Sequence, residues 1–187
     1  YISENIPKYI TDYSNDIIKN AFININNKVS NNNNSFNSST NGSTCITLII
    51  TPNSIICANI GDCRAVLGKN EKGIYKIKQL NKEHFPDTPD EMKRIIQCGG
   101  RIENVKGENR IFLKNSEIPG LNVARSIGDS IAHNVGVIPE PEINSFDYDG
   151  NEKFILIGNR EFWKYLDNNE YVDIIKYFYE NNLDSKG

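Results

Sequence analysis

Three aspartates sit beside glycine, in Gly61-Asp62, Gly128-Asp129 and Asp149-Gly150. Hard divalent cations take up carboxylate oxygens, so aspartates are the residue type that metal chemistry would need. A Gly/Asp pair is by itself the makings of a tight turn. Asp62 and Asp129 read as such turns. Asp149-Gly150 comes before the apolar run at Phe154 and reads as a turn. The four cysteines, Cys45, Cys57, Cys63 and Cys98, include no CxxC pair, which argues against zinc. Cys45 and Cys57 lie within apolar runs, as reduced, buried thiols do, and a reducing compartment is expected. Gly99-Gly100 stops a helix and is no phosphate loop, since no helix with P-loop spacing follows it. His84 reads as support for the loop before Pro86, and His133 as a solvent-exposed side chain.

Composition narrows the classes. The 187 residues are 38% hydrophobic and 24% charged, enough for one globular domain with a core. Lys plus Arg is 21 and Asp plus Glu is 24, a net charge of −3. A dedicated nucleic-acid binder would show a basic excess instead. No apolar run approaches the ~18 residues that crossing a bilayer requires. The chain opens on Tyr1 and not on Met, with no signal peptide, so it is expected to be a piece of a longer protein. An intracellular, cytoplasmic or nuclear, setting is expected.

The elements that must position these residues follow from the spacing of apolar side chains. Ile17, Ile18, Ala21, Phe22 and Ile25 recur at helical spacing after a cap at Ser14. Residues 26–41 are polar, Asn/Ser-rich and without periodicity, and predict a disordered insertion. Residues 44–51, 54–60, 64–67 and 74–80 read as strands separated by turn signals, an antiparallel meander. A helix over about 88–98 follows, capped by Thr88 or Asp87, with Pro89 in its first turn and Gly99 at its end. Residues 111–113 and 121–124 read as short strands and 154–158 as a buried one. Asn168 or Asn169 caps a last helix to about Tyr179. The aromatic group Trp163, Tyr165, Tyr171, Phe178 and Tyr179 is read as core or helix packing. Strands in the middle and helices at the flanks define an α+β class.

Seven segments, in order, resemble a known family. Gly42-Ser43-Thr44 opens a strand. The run from Ala58 to Leu67, ANIGDCRAVL, resembles "ANxGDSRAVL", and Leu80 to Pro86 resembles "LSxDHKP". Glu91 with Arg94-Ile95 and Gly99 to Ile102 resembles "ExxRI…GGxV". Leu121 to Asp129, LNVARSIGD, resembles "LAVSRALGD". Pro139 to Ile143 resembles "PEPEV", and Phe154 to Leu166, FILIGNREFWKYL, resembles "FLILASDGLWDVL". Together, over residues 42–175, they resemble a PP2C-type (PPM, metal-dependent) protein serine/threonine phosphatase domain. The resemblance implies packed antiparallel sheets, a β-sandwich flanked by helices, and a partial domain. The family's early "DGHGG" strand and its late "DN" motif would lie outside the chain.

The resemblance also implies the chemistry. Two Mg²⁺ or Mn²⁺ ions would activate a water against a phosphoserine or phosphothreonine, making hydroxide near neutral pH and neutralising phosphate charge. Here the pattern breaks. The family's "SDGLWD" falls on Asn159 to Lys164, with Trp163 fixing the register. The bridging metal aspartate then corresponds to Arg160, and the second aspartate to Lys164. Arginine has no lone pair to offer and stays protonated, so the usual two-metal site is not expected to form and metal binding should be weak or absent. Glu161 next to Arg160 is a weaker substitute ligand, because the family has glycine there. Asp62 is a possible remnant of a metal site. Arg125 and Asp129 belong to the segment leading to the family's flap, where they are candidates for contact with the flap or a partner; for Arg125 structural pairing is the stronger reading, and Asp129, like Asp62, reads as a site remnant or a structural turn residue. Arg160 is expected to pair with remaining carboxylates and stand in for the metal's charge.

The expected function is a PP2C-like domain, catalytically impaired, acting in signalling as a pseudophosphatase that binds a regulatory protein or phosphoprotein. The alternative is an active Mg/Mn-dependent phosphatase with ligands from outside this segment. A third reading, an unrelated α+β interaction domain, would make the ordered motifs a coincidence.

Overall fold

A computed structural model of the chain describes residues 1–31 and 37–181. Two helices come first, α1 (Ile2–Tyr9) and α2 (Asn15–Asn31). A short β1 (Gly42–Ser43) leads into two antiparallel pairs, β2 (Cys45–Ile50) with β3 (Ser54–Ile60) and β4 (Arg64–Glu71) with β5 (Ile74–Gln79), which fall in different sheets, so the expected meander is broken between β3 and β4. Helix α3 (Pro89–Gln97) follows, then the antiparallel β6 (Arg101–Val105), β7 (Glu108–Phe112) and β8 (Pro119–Leu121). The chain continues through β9 (Ile127–Gly128), α4 (Ser130–His133), β10 (Glu142–Asp147), β11 (Glu152–Gly158), a 3₁₀ turn at Phe162–Lys164, and α5 (Asn168–Glu180).

The alternation of β3 explains the layering. Successive strand residues face opposite sides. Ile55 and Cys57 pack with Ala65 and Leu67 of β4, so the sheet β10-β3-β2 lies face to face with the sheet β11-β4-β5. Ile56, Ala58 and Ile60 point the other way, onto Ile18, Phe22 and Ile25 of α2 and Ile6 of α1. On the outer face of the second sheet, Val66 packs with Trp163 and with Val172 of α5. The result is the α+β sandwich flanked by helices that the pattern implied. A fourth cluster, Ile95, Ile111, Ala124, Ala132, Val135 and Val137, packs α3, β7 and α4 together beside it.

Four further expectations are corrected. The insertion predicted over residues 26–41 begins too early, because α2 runs through Asn31. Ile25 and Val29 continue its apolar face, and Asn26 is buried with its Oδ1 accepting the Gly128 N–H at 3.0 Å. Residues 32–36 lie outside the described residues. Residues 37–41 are tied down: Asn41, Ser38 and Ser39 carbonyls accept the N–H groups of Asp129, Ser130 and Ile131. A polar stretch is ordered here because its amides cap buried backbone. The cap of α5 is Asp167, not Asn168 or Asn169. Asp167 accepts from Asn169 and Glu170 N–H, and Glu170 accepts from Asp167 N–H, a reciprocal capping box. His133 is half-buried in the last turn of α4, not solvent-exposed. The aromatic group divides: Trp163 is buried, whereas Tyr165 is 73% exposed.

Replacing Asn26 with Ala strands the buried Gly128 N–H, so Asn26→Ala should lower unfolding free energy by about 1–3 kcal/mol in denaturant titrations. An unchanged midpoint would mean that this end of α2 is not docked.

Candidate functional site

Asp62 lies at the tip of the β3–β4 connection. Gly61 turns the chain there with φ +88, a left-handed conformation suited to glycine. A Cβ on Gly61 would also sit 2.2 Å from the Thr44 methyl. His84 braces the turn from below. It is 2% exposed, and its Nδ1 accepts the Gly61 N–H at 3.1 Å. Its backbone N–H donates to Gly61 O at 3.0 Å, and its carbonyl accepts from Ala124 at 2.8 Å. The Asp62 carboxyl is only 9% exposed. Burial pushes its pKa up, while its own backbone N–H and the Arg160 guanidinium pull it down.

Arg160 reaches Asp62 from the loop after β11. Trp163 anchors that loop: its indole N–H donates to the carbonyls of Arg64 and Gly158, each at 3.1 Å. Arg64 lies over the Trp163 ring, 5.3 Å from its centre, and is held by Glu83 at 2.9 and 3.1 Å. With the loop fixed, Arg160 Nη1 stands 3.9 Å from Asp62 Oδ2 and Nη2 donates to Glu108 Oε1 at 3.0 Å. The guanidinium also covers the Phe85 ring at 5.5 Å. Glu108 begins β7, just past the β6–β7 turn, where Lys106 and Gly107 both have positive φ and Asn104 Oδ1 accepts the Gly107 N–H. Its other oxygen, Oε2, accepts from Arg110 Nη2 at 2.6 Å.

Of the remaining predicted residues, Asp129 lines the same cleft as Asp62, beside Thr44 and Ser126, and the others lie elsewhere. Lys164 points away from Asp62, 57% exposed and 3.4 Å from Glu161, which is itself 66% exposed. Glu161 therefore does not enter the ligand position. Asp149 sits in a turn and pairs with Lys69 at 2.6 Å. Arg125 is not a free contact residue. It donates to both oxygens of Glu91 and to Glu140 O, and Arg94 adds a 2.6 Å bond to the same buried Glu91. Arg125 thereby pins α3 to the segments around residues 125 and 140. Asp129 is 4% exposed with φ +49, its carboxylate packed over the Gly42 Cα, and burial raises its pKa. Glu108 and Arg110 escape sequence reasoning, since nothing local marks a charged pair on a hairpin.

The family description "Protein phosphatase 2C" matches residues 2–186. The chain is 38% identical over 138 residues to "Probable protein phosphatase 2C 72" of Arabidopsis thaliana, covering 72% of this chain and 42% of that protein. It is 37% identical over 138 residues to "Probable protein phosphatase 2C 12" of Oryza sativa, covering 72% of this chain and 36% of that protein. Among solved structures, a serine-threonine phosphatase 2C from Toxoplasma gondii matches with a TM-score of 0.83 at 14% identity, over 97% of this chain and 65% of that one. A C. elegans sex-determining protein matches with a TM-score of 0.77 at 18% identity, over 95% of this chain and 42% of that one. These two likenesses concern the fold. The chain belongs to the protein phosphatase 2C family, and it spans about two fifths of the length of these curated relatives.

The family is generally Mg²⁺- or Mn²⁺-dependent. The donor set at this cleft does not fit such an ion. The Asp62 carboxylate faces a permanent cation, and a guanidinium offers no lone pair. Among the described residues, no three His, Cys, Asp or Glu side chains converge as ligands. Also among these residues, no helix is long and apolar enough to cross a membrane.

Burial lowers the His84 pKa to about 4, and Arg125 acts in the same direction. The unfolded chain takes up this proton near its ordinary value of about 6.5. Stability should therefore be full above about 6.5 and fall as pH drops from 6.5 towards 4, by an amount on the order of 3 kcal/mol. Protonation would also break the bond that Nδ1 accepts from Gly61. A His84→Gln variant should lack that segment of the stability–pH profile in denaturant titrations. An unaltered profile would assign the loss to other groups.

Proposed function

We propose that this domain is a pseudophosphatase: a PP2C-fold unit impaired in metal-dependent hydrolysis, acting in signalling by binding a regulatory protein or phosphoprotein. The observation that carries the reading is Arg160. The sequence register puts it where the family has its bridging metal aspartate, and its guanidinium lies between Asp62 and Glu108. A cation held against the site's carboxylate both removes a ligand and repels a dication. Half-buried carboxylates that would otherwise face each other are compensated by the same guanidinium.

The test uses the full-length protein with a phosphothreonine peptide in the presence of Mn²⁺. The wild type should show no Mn²⁺-dependent turnover, and the Arg160→Asp/Lys164→Asp double variant should gain at least about 100-fold over it, about 3 kcal/mol of barrier. Robust Mn²⁺-dependent turnover by the wild type would overturn the reading in favour of an active phosphatase.

A further inference from the structure

The carboxylate of Glu108 is gripped by two arginines at once. Arg160 Nη2 donates to Oε1 at 3.0 Å, and Arg110 Nη2 donates to Oε2 at 2.6 Å. Two guanidinium groups converging on a pair of oxygens make the arrangement that recognises a phosphoryl group. Arg110 is itself braced, its Nη1 donating to Gly120 O at 2.7 Å, and Arg160 is braced by the Trp163-anchored loop. Arg110 thus keeps a partner when Glu108 leaves, and the Arg160 guanidinium keeps its anchored loop and its 3.9 Å ion pair with Asp62. Beside the pair lies a cleft of about 230 Å³, lined by Phe85, Pro86, Gly107, Asn109, Asn122 and Arg160.

We infer that Glu108 is an internal stand-in for a phosphate, and that the seat between Arg110 and Arg160 takes the phosphoryl group of a phosphoserine or phosphothreonine peptide when Glu108 swings out. This inference rests on the proposed role as a phosphoprotein-binding domain and names the site within it.

The charges favour exchange over permanent closure. Glu108 supplies one negative charge and two oxygens to two cations. A phosphoryl group supplies close to two charges and three acceptor oxygens. Glu108 is 37% exposed and follows a hairpin turn, so its side chain can leave for water without crossing packed core. Arg160 and Arg110 are 32% and 34% exposed, so a peptide can reach them. Two carboxylates oppose an incoming anion. Asp62 is 3.9 Å from Arg160 Nη1, and Asp87 lines the cleft, where it accepts from Asn109 Nδ2 at 2.9 Å. They set a threshold that a singly charged carboxylate peptide meets poorly. Asn122 and the Phe85 ring give the rest of the peptide a polar and an apolar wall.

The experiment measures binding of a fluorescein-labelled phosphothreonine peptide, and of its unphosphorylated twin, to the full-length protein without added metal. Inorganic phosphate serves as competitor. Glu108→Gln keeps the side chain's shape and removes its charge. It should tighten phosphopeptide binding about tenfold and leave the twin unaffected. Arg160→Gln and Arg110→Gln should each weaken it about tenfold or more, and phosphate should compete. Equal affinity of wild type and Glu108→Gln for the phosphopeptide, or equal binding of the two peptides, would overturn the proposal. The Glu108→Gln comparison decides even if an arginine variant folds poorly. The two readings fail separately. Turnover by the wild type would defeat the pseudophosphatase reading and leave the seat as a substrate-positioning site. Absent phosphopeptide binding with no turnover would defeat the seat alone.

Discussion

A carboxylate is buried at the end of a β-turn, and the local structure is built to keep it there. Asp62 cannot move outward, because Gly61 is locked by its left-handed backbone, by the Thr44 methyl and by His84. A buried carboxylate without a positive neighbour is costly. In this chain the positive neighbour is a guanidinium from the loop after β11. It supplies charge to the carboxylate and offers no lone pair of its own.

The framework around this pair explains why the guanidinium arrives there. The sandwich sets β4 beside β11, so the turn after β3 and the loop after β11 share one end of the structure. Trp163 then staples that loop to the β4 backbone, and Arg64 and Glu83 cover the staple. On the other side, Glu91 holds Arg125 and Arg94, which locks α3 against the segment that meets His84. That ion network is buried, and its energy depends on every member being paired. Burial alone would raise the Glu91 pKa, but the bonds from Arg125 and Arg94 outweigh it and lower it. Glu91 therefore stays ionised in the fold.

Parts of this were legible in the residues and parts were not, for physical reasons. The largely apolar, β-branched runs around Ser54–Ile60 announce strands buried on both faces, while their packing into a sandwich is implied by the family resemblance. The register of Arg160 is legible because Trp163, a large and distinctive residue, sits three positions on. The end of α2 is not legible. Asn26 looks like the start of a polar loop, and its order comes from Gly128, 102 residues away. Glu108 is silent for the same reason, since it acquires meaning only when Arg160 arrives from 52 residues later. Arg125 reads as a residue for structural pairing in a flap segment, but its partner, Glu91, lies 34 residues away and is not named by any local pattern. Local patterns fix elements, whereas a polar side chain's role depends on what the topology brings to it.

The account's central claim is that Arg160 supplies the positive charge that Asp62 needs. A double-mutant cycle measures that directly. Unfolding free energies would be compared for the wild type, Asp62→Asn, Arg160→Gln and the double variant in denaturant at neutral pH. The pair is long and partly exposed on the arginine side, so screening limits the term. A favourable coupling of about 0.5–1 kcal/mol is predicted, with Arg160→Gln costing less once Asp62 is replaced by Asn. Strictly additive effects of the two substitutions would contradict the claim and return Arg160 to an ordinary surface role.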